Sequence, residues 1–318
     1  MASLMGVIEM MGRFAKAASY NSASFNPAVW CSTKTRVLNT GCLALSRLIL
    51  LTLCLSFSVQ AQSEGDLHSP FNKLLGKHVR PIANGASTQV DYAGFKQDSA
   101  QLTQYLNSLA SVKKTAFDSW DKDVQLAFLI NAYNAYTIDL ILTEYPDLES
   151  IRDLGSFFSS PWKKNIAPLL GKTRTLDEIE HELIRGPNES NQRYDEPRIH
   201  FAVNCASIGC PALREEAYEG ATLDTQLEAQ TMRFLADTSR NRMDGNTLKI
   251  SKIFDWYRED FESAGKNEKN WRGTSNLSQF ILLYKDALAL SSEQVSLLKQ
   301  GNADIEFLDY DWALNDAQ

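Results

Sequence analysis

Cysteine and histidine are scarce in this chain, at five and four among 318 residues. Residues 62–318 hold no internal repeat, no low-complexity block and no Pro/Gly/Ser-rich linker, which excludes repeat architectures and argues for one compact domain. No dense Lys/Arg run occurs and the formal net charge is −7, so a phosphate backbone finds no basic track and nucleic acid is excluded as a partner class.

The front of the chain supplies an apolar stretch, Leu43 to Val59 (LALSRLILLTLCLSFSV), with Arg47 near its start and the small-residue site Val59-Gln60-Ala61 behind it. That pattern predicts a secretory signal over residues 1–61, cut after Ala61. The apolar part after Arg47 falls short of the roughly 20 residues a bilayer-spanning helix needs, so no stable membrane span is expected after cleavage. Met1 to Thr40 is an unusual prelude to a signal, and an over-extended start is expected there, with translation opening near Val37 or Leu38. A lipoprotein is not expected, because Cys54 follows Leu53 rather than a small residue. Removing Arg13, Lys16, Lys34, Arg36, Arg47 and Glu9 from the 32 basic and 39 acidic residues leaves 27 and 38, net −11. Of the cysteines, Cys31, Cys42 and Cys54 leave too, so the expected periplasmic or secreted protein keeps Cys205 and Cys210 alone.

Several elements follow from periodicity. Val90-Asp91-Tyr92 reads as a short strand, and Leu102, Leu106 and Leu109 make a helix stripe. Asp121 to Glu144 is apolar nearly all round, which predicts a central buried helix stopped at Tyr145-Pro146. Thr175-Leu-Asp-Glu178 fits a capping box opening a helix from Leu176 to Arg185, with His181 on it. Arg198 to Val203 alternates as a half-buried strand does, with Ile199, Phe201 and Val203 on one face. A helix over Thr222 to Leu235, a strand at Leu248 to Ser251, a helix around Phe254 to Phe261, helices at Asn276 to Asp286 and Ser292 to Gln300, and a strand near Ile305 to Leu308 complete the reading. Strands scattered between unequal helices predict an α+β fold with a small mixed sheet.

Three chemistries suit the exported chain's Cys205, Cys210, His181 and His200. A disulfide across the short loop suits an oxidising compartment and a non-catalytic binding or scaffold domain. A zinc site would use two cysteines and two histidines, although the spacing is loose. A nucleophilic Cys205 would need an imidazole base and a polar group orienting it. In a straight strand His200 lies some 16 Å along the chain from Cys205, so His181, delivered from a separate helix, is the freer base, with Glu178 or Glu182 as its partner. On the buried helix, the amides of Asn131 and Asn134 must be paired. They either hold a neighbouring loop or, with Tyr133, border the cysteine loop and position a substrate carbonyl.

Five stretches, FLINAYNAYTI (Phe128 to Ile138), LDEIEHELIR (Leu176 to Arg185), PRIHFAVNCASIGCPAL (Pro197 to Leu213), SKIFDWYREDF (Ser251 to Phe261) and LDYDWALN (Leu308 to Asn315), resemble in order the motifs of the domain-of-unknown-function 547 family. The resemblance runs from about Phe71 to Leu314. It implies mostly exported bacterial relatives, a histidine and glutamate at His181 and Glu182, a histidine at His200, cysteines at Cys205 and Cys210, and a distant likeness to papain-like or transglutaminase-like cysteine enzymes. In a papain-like order the cysteine heads the buried helix and the histidine follows; here no cysteine lies on that helix and His181 precedes Cys205. The expectation is therefore a cysteine-dependent hydrolase or acyl transferase acting on an amide or ester, with Cys205 as nucleophile, His181 or else His200 as base, and Glu182 orienting it. Asn131, Tyr133, Asn134 and Cys210 would border an unknown small-molecule or peptide ligand, and no metal or organic cofactor is required.

Overall fold

The computed structural model describes residues 64–156, 159–186, 194–262 and 271–317. The expected signal and the early start site lie outside these residues. Helix α1 (Glu64–His78) leads into an antiparallel hairpin of β1 (Val79–Ile82) and β2 (Ser87–Val90). Asp91, expected inside a strand, caps the helical segment Tyr92–Gln97, its carboxylate accepting from the Gly94 N–H at 2.7 Å. Helix α2 (Ser99–Ser111) buries Leu102, Leu106 and Leu109 as its stripe requires.

Helix α3 (Lys122–Leu142) is the centre of the fold, with 16 of its 21 residues buried. Such a helix has no stripe to turn inward and holds its place only when neighbours cover every side. Its buried amides are both paired with backbone. Asn131 Nδ2 donates to Tyr218 O at 2.8 Å and its Oδ1 accepts from Tyr218 N–H at 2.9 Å. Asn134 Nδ2 donates to Ala202 O at 3.0 Å and its Oδ1 accepts from Asn204 N–H at 2.9 Å. The helix ends two residues before Glu144, where the Thr143 hydroxyl donates to Leu140 O at 2.7 Å.

A second hairpin, β3 (Ala167–Leu169) and β4 (Lys172–Arg174), delivers the capping box. Thr175 Oγ1 accepts from Glu178 N–H at 3.0 Å, and the Glu178 carboxylate accepts from Thr175 N–H at 2.7 Å. The helix that follows is wound as a π-helix over Glu178–Ile184. A π turn holds more residues than an α turn, so side chains three and four apart no longer stack in the expected register. Glu180 and not Glu182 points inward: Glu180 is buried and Glu182 exposed.

The expected strand at Arg198 to Val203 is a 3-10 helix over Pro197–Phe201. The expected apolar face is divided between two cores rather than set against water. Ile199, Ala202 and Val203 join the apolar cluster around α3, while Phe201 joins an aromatic cluster with Phe234, Phe254, Phe261 and Phe280. Arg198 and His200, assigned to a wet face, are buried as well. A chain crowded on both sides without a partner strand satisfies its backbone best by local turns.

Helix α4 (Leu223–Leu235) follows, then β5 (Arg242–Asp244) and β6 (Thr247–Ser251). Two short helical segments, Ile253–Trp256 and Arg258–Phe261, replace the single helix expected there. Helices α5 (Leu277–Leu283) and α6 (Ser292–Gln300) precede β7 (Asp304–Leu308). Strand β6 pairs antiparallel with β5 and parallel with β7, giving the small mixed sheet of an α+β fold. Among the described residues no helix is long and apolar enough to cross a membrane.

Replacing Asn134 by alanine leaves a buried carbonyl and a buried N–H without partners, and is expected to cost about 2 kcal/mol of stability in urea unfolding.

Candidate functional site

After the 3-10 helix the chain turns sharply. Ala206 takes a left-handed conformation at φ 61°, fixed by its N–H donating to Asn204 Oδ1 at 2.9 Å, and Asn204 Nδ2 donates to Pro211 O at 2.7 Å. An alanine in that region carries backbone strain that the surrounding bonds must hold. The resulting loop brings its two sulfurs together. Both cysteines are free thiols; Cys205 is partly exposed and Cys210 buried. The Cys205 N–H donates to Cys210 Sγ at 2.9 Å, and the Ser207 hydroxyl lies 3.5 Å from Cys205 Sγ and 3.3 Å from Cys210 Sγ.

A segment far along the chain completes the cluster. Residues after β7 run against the loop, with Gly209 N–H donating to Asp311 O and Ile208 N–H to Ala313 O, each at 2.8 Å. Position 209 must be glycine, since a Cβ there would lie 2.9 Å from both Asp311 O and the Tyr310 ring. This strap sets the Tyr310 hydroxyl 3.1 Å from Cys205 Sγ, 3.1 Å from Cys210 Sγ and 2.9 Å from Ser207 Oγ. Burial opposes the Cys210 thiolate, but hydrogen bonds from Cys205, Ser207 and Tyr310 override it and bring Cys210 from 9.0 down to about 6. Cys205 moves the other way, raised by its bond to Cys210 and by burial. The pair therefore shares one negative charge and resists a second.

His200 faces the same space. Its Nε2 lies 2.6 Å from Asp260 Oδ2, and its ring stacks on Tyr257 at 4.0 Å. Burial lowers the imidazole pKa despite the carboxylate beside it, so the ring is neutral and Nε2–H is a donor. Asp260 is held at about 2; burial opposes its charge, and His200 and Arg185 outweigh it. Arg185 Nε donates to Asp260 Oδ2 at 2.6 Å, so the carboxylate's counter-charge is the guanidinium. In this tautomer His200 Nδ1 carries a lone pair, and it is buried without a partner. Tyr257, stacked on the ring, donates its hydroxyl to Glu180 Oε1 at 2.7 Å.

A cleft of about 220 Å³ gathers these groups: Cys205, Cys210, His181, His200, Tyr133 and Tyr310 all line it. Four of the residues singled out from the sequence as chemistry-bearing are thus brought together. His181 is exposed, with Nδ1 2.9 Å from Arg185 Nη1. Glu182 does not line the cleft; the buried carboxylate there is Glu180. Asn131 and Asn134 do not line it either, and both amides are engaged with backbone, so neither is free for a substrate carbonyl. Among the described residues no group of three or more His, Cys, Asp or Glu side chains is placed to hold a metal ion, so the two cysteines and two histidines do not form a tetrahedral zinc set.

Asp260 and Tyr310 are absent from the sequence-based site. Both lie in stretches on which the family resemblance rests, Ser251 to Phe261 and Leu308 to Asn315, and an acid or phenol in those stretches was the available signal.

Residues 117–235 match the family described as protein of unknown function, DUF547. That segment belongs to DUF547. The matched DUF547 region takes in α3, His181, His200 and both cysteines, and stops before Asp260 and Tyr310. No curated protein and no solved structure matches the chain.

The shared charge of the thiols is open to titration. Ultraviolet absorbance of one thiolate per chain is expected to rise with a midpoint at about 6, and Tyr310→Phe, which removes a donor, should move it upward. Because the folded pair releases its proton earlier than an unfolded thiol, its stabilisation is present above the ordinary 9.0 and is lost as pH falls through about 6. Chemical unfolding across that window reads the effect.

Proposed function

We propose that the protein is an exported cysteine-dependent hydrolase or acyl transferase acting on an amide or ester carbonyl. One observation carries this reading: a neutral His200, with Nε2 on Asp260 and Nδ1 unpartnered, lines the same cleft as two free thiols that share the Tyr310 hydroxyl. Export is supported by the Leu43 to Val59 stretch and the Val59-Gln60-Ala61 site.

In this mechanism the thiol pair keeps a single proton. That proton, which rests on Cys205, is relayed to Cys210 through the Tyr310 hydroxyl in contact with both; Cys205 is then a thiolate at the partly exposed position and attacks the carbonyl carbon, forming a C–S bond as the carbonyl electrons move to oxygen. Tyr310, in contact with both sulfurs, is the nearest hydroxyl donor to that oxygen. Collapse breaks the bond to the leaving group, which takes the one proton of the thiol pair from Cys210. Water or an acceptor hydroxyl or amine then gives its proton to the neutral His200 Nδ1, attacks the thioester and releases Cys205, and Nδ1 returns that proton to the thiol pair. Asp260, itself held by Arg185, keeps the imidazole in the tautomer that leaves the lone pair on Nδ1. His200 takes the place first given to His181, and Asp260 that given to Glu182.

A second reading has specific support from the closeness of the two residues, Cys210 Sγ accepting from the Cys205 N–H at 2.9 Å: oxidation to a Cys205–Cys210 bridge in a non-catalytic scaffold. Iodoacetamide labelling followed by mass spectrometry, before and after reduction, separates the two. Labelling of Cys205 without reductant is expected for the enzyme; labelling of neither until reduction overturns it.

For catalysis, para-nitrophenyl acetate is expected to give a burst of one para-nitrophenol per chain, lost in Cys205→Ser. Asp260→Asn should lower kcat roughly 10²–10⁴-fold with KM little changed and circular dichroism intact. A burst surviving both Cys205→Ser and His200→Gln would remove the proposal.

A further inference from the structure

The walls of the cleft have a chemistry that the acyl-transfer reading leaves open. Two carboxylates, Asp177 and Glu180, line it, and among the described residues no lysine or arginine does. Three arginines in contact with lining residues already have partners. Arg185 is bonded to Asp260 and Glu259, Arg240 is paired with Asp237, and Arg152 lies over the Trp312 ring at 5.4 Å. A carboxylate excess with low-dielectric walls concentrates cations and repels anions.

The remaining wall is aromatic. Trp256, 44% exposed, packs against Tyr310 at 4.8 Å and Trp312 at 5.6 Å, and Trp312 meets Trp162 edge-on at 5.7 Å. All four rings line the cleft. Indole faces attract a positive charge through their quadrupole, an attraction that strengthens when the site excludes water. Aromatic faces with carboxylates and without a lysine or arginine are a poor seat for a carboxylate or phosphate ligand. A neutral aromatic ligand would find the same rings but would give the two carboxylates no partner.

We propose that the cleft selects a positively charged acyl substrate, one whose amine or quaternary ammonium group sits against the Trp256 and Trp312 faces near Asp177 and Glu180. The inference rests on the acyl-transfer reading for the word substrate; the charge preference of the cleft stands on the lining alone.

The probes are three methanethiosulfonates: the small neutral methyl reagent, and the larger trimethylammonioethyl and sulfonatoethyl reagents, which carry opposite charges. Each transfers its thioalkyl group to the thiolate as a mixed disulfide and leaves as methanesulfinate, so the comparison needs no turnover. The quantity read is the ratio of cationic to anionic labelling rates on the full chain, divided by the same ratio for a small free thiol. A ratio at least ten-fold above the free thiol is expected. It should collapse toward that of the free thiol in the double variant Asp177→Asn, Glu180→Gln, in which glutamine can still accept from Tyr257. A Trp256→Ala variant should slow the cationic reagent and leave the neutral one unchanged. The remote control Glu306→Gln should leave the ratio as in wild type.

A wild-type ratio equal to that of the free thiol, a ratio that persists in the double variant, or thiols unreactive toward all three reagents would overturn the proposal. If the charge ratio holds while Asp260→Asn leaves ester turnover unchanged, the acyl-transfer reading fails and the cation site stands. If turnover depends on Asp260 but the charge ratio is absent, the reverse is true.

Discussion

Two hydrogen bonds from the Asn134 amide, to Ala202 O and from Asn204 N–H, join the part of this fold that is stable by burial to the part that carries chemistry. Helix α3 is enclosed on every side and cannot shift without opening the core. Through Asn134 it holds the backbone between His200 and Cys205, and through Asn131 it holds the chain at Tyr218. The positions of imidazole and thiols therefore derive from a helix that contributes one phenol, Tyr133, to the cleft itself.

The site divides its electrostatics into two compartments. On one side a single negative charge is shared by two sulfurs and stabilised by hydroxyl and backbone donors. On the other, Arg185 neutralises Asp260 and leaves His200 uncharged and oriented. This differs from an ion pair of thiolate and imidazolium, in which each charge sustains the other. Here each group is supported by its own neighbours, so disturbing one compartment need not discharge the other.

Much of the fold was legible because burial imposes periodicity. Helix α3, helix α2, the capping box at Thr175 and the strands at Thr247 and Asp304 lie where residue spacing puts them. The failures share a cause. At Arg198 to Val203 the period-2 rule presupposes one dry and one wet face, and the segment runs between two apolar clusters instead. At His181 the family resemblance offered Glu182 as partner, whereas on the π-wound segment Glu180 is the buried carboxylate and Glu182 is exposed. Both thiols and both histidines of the cleft could be read from scarcity alone. Asp260 and Tyr310 could not, since acids and tyrosines are common and only tertiary contact, over 60 and 105 residues, distinguishes them.

The strap that carries Tyr310 also sets an order of events during synthesis. The phenol that screens the sulfurs is made 105 residues after Cys205 and 100 after Cys210, so both thiols leave the ribosome long before their cover exists. A nascent chain that has reached α6 holds every residue of the cysteine loop but lacks the segment that closes over it. Its sulfurs are open to mispairing with any passing thiol until β7 is made and the strap docks beside Gly209.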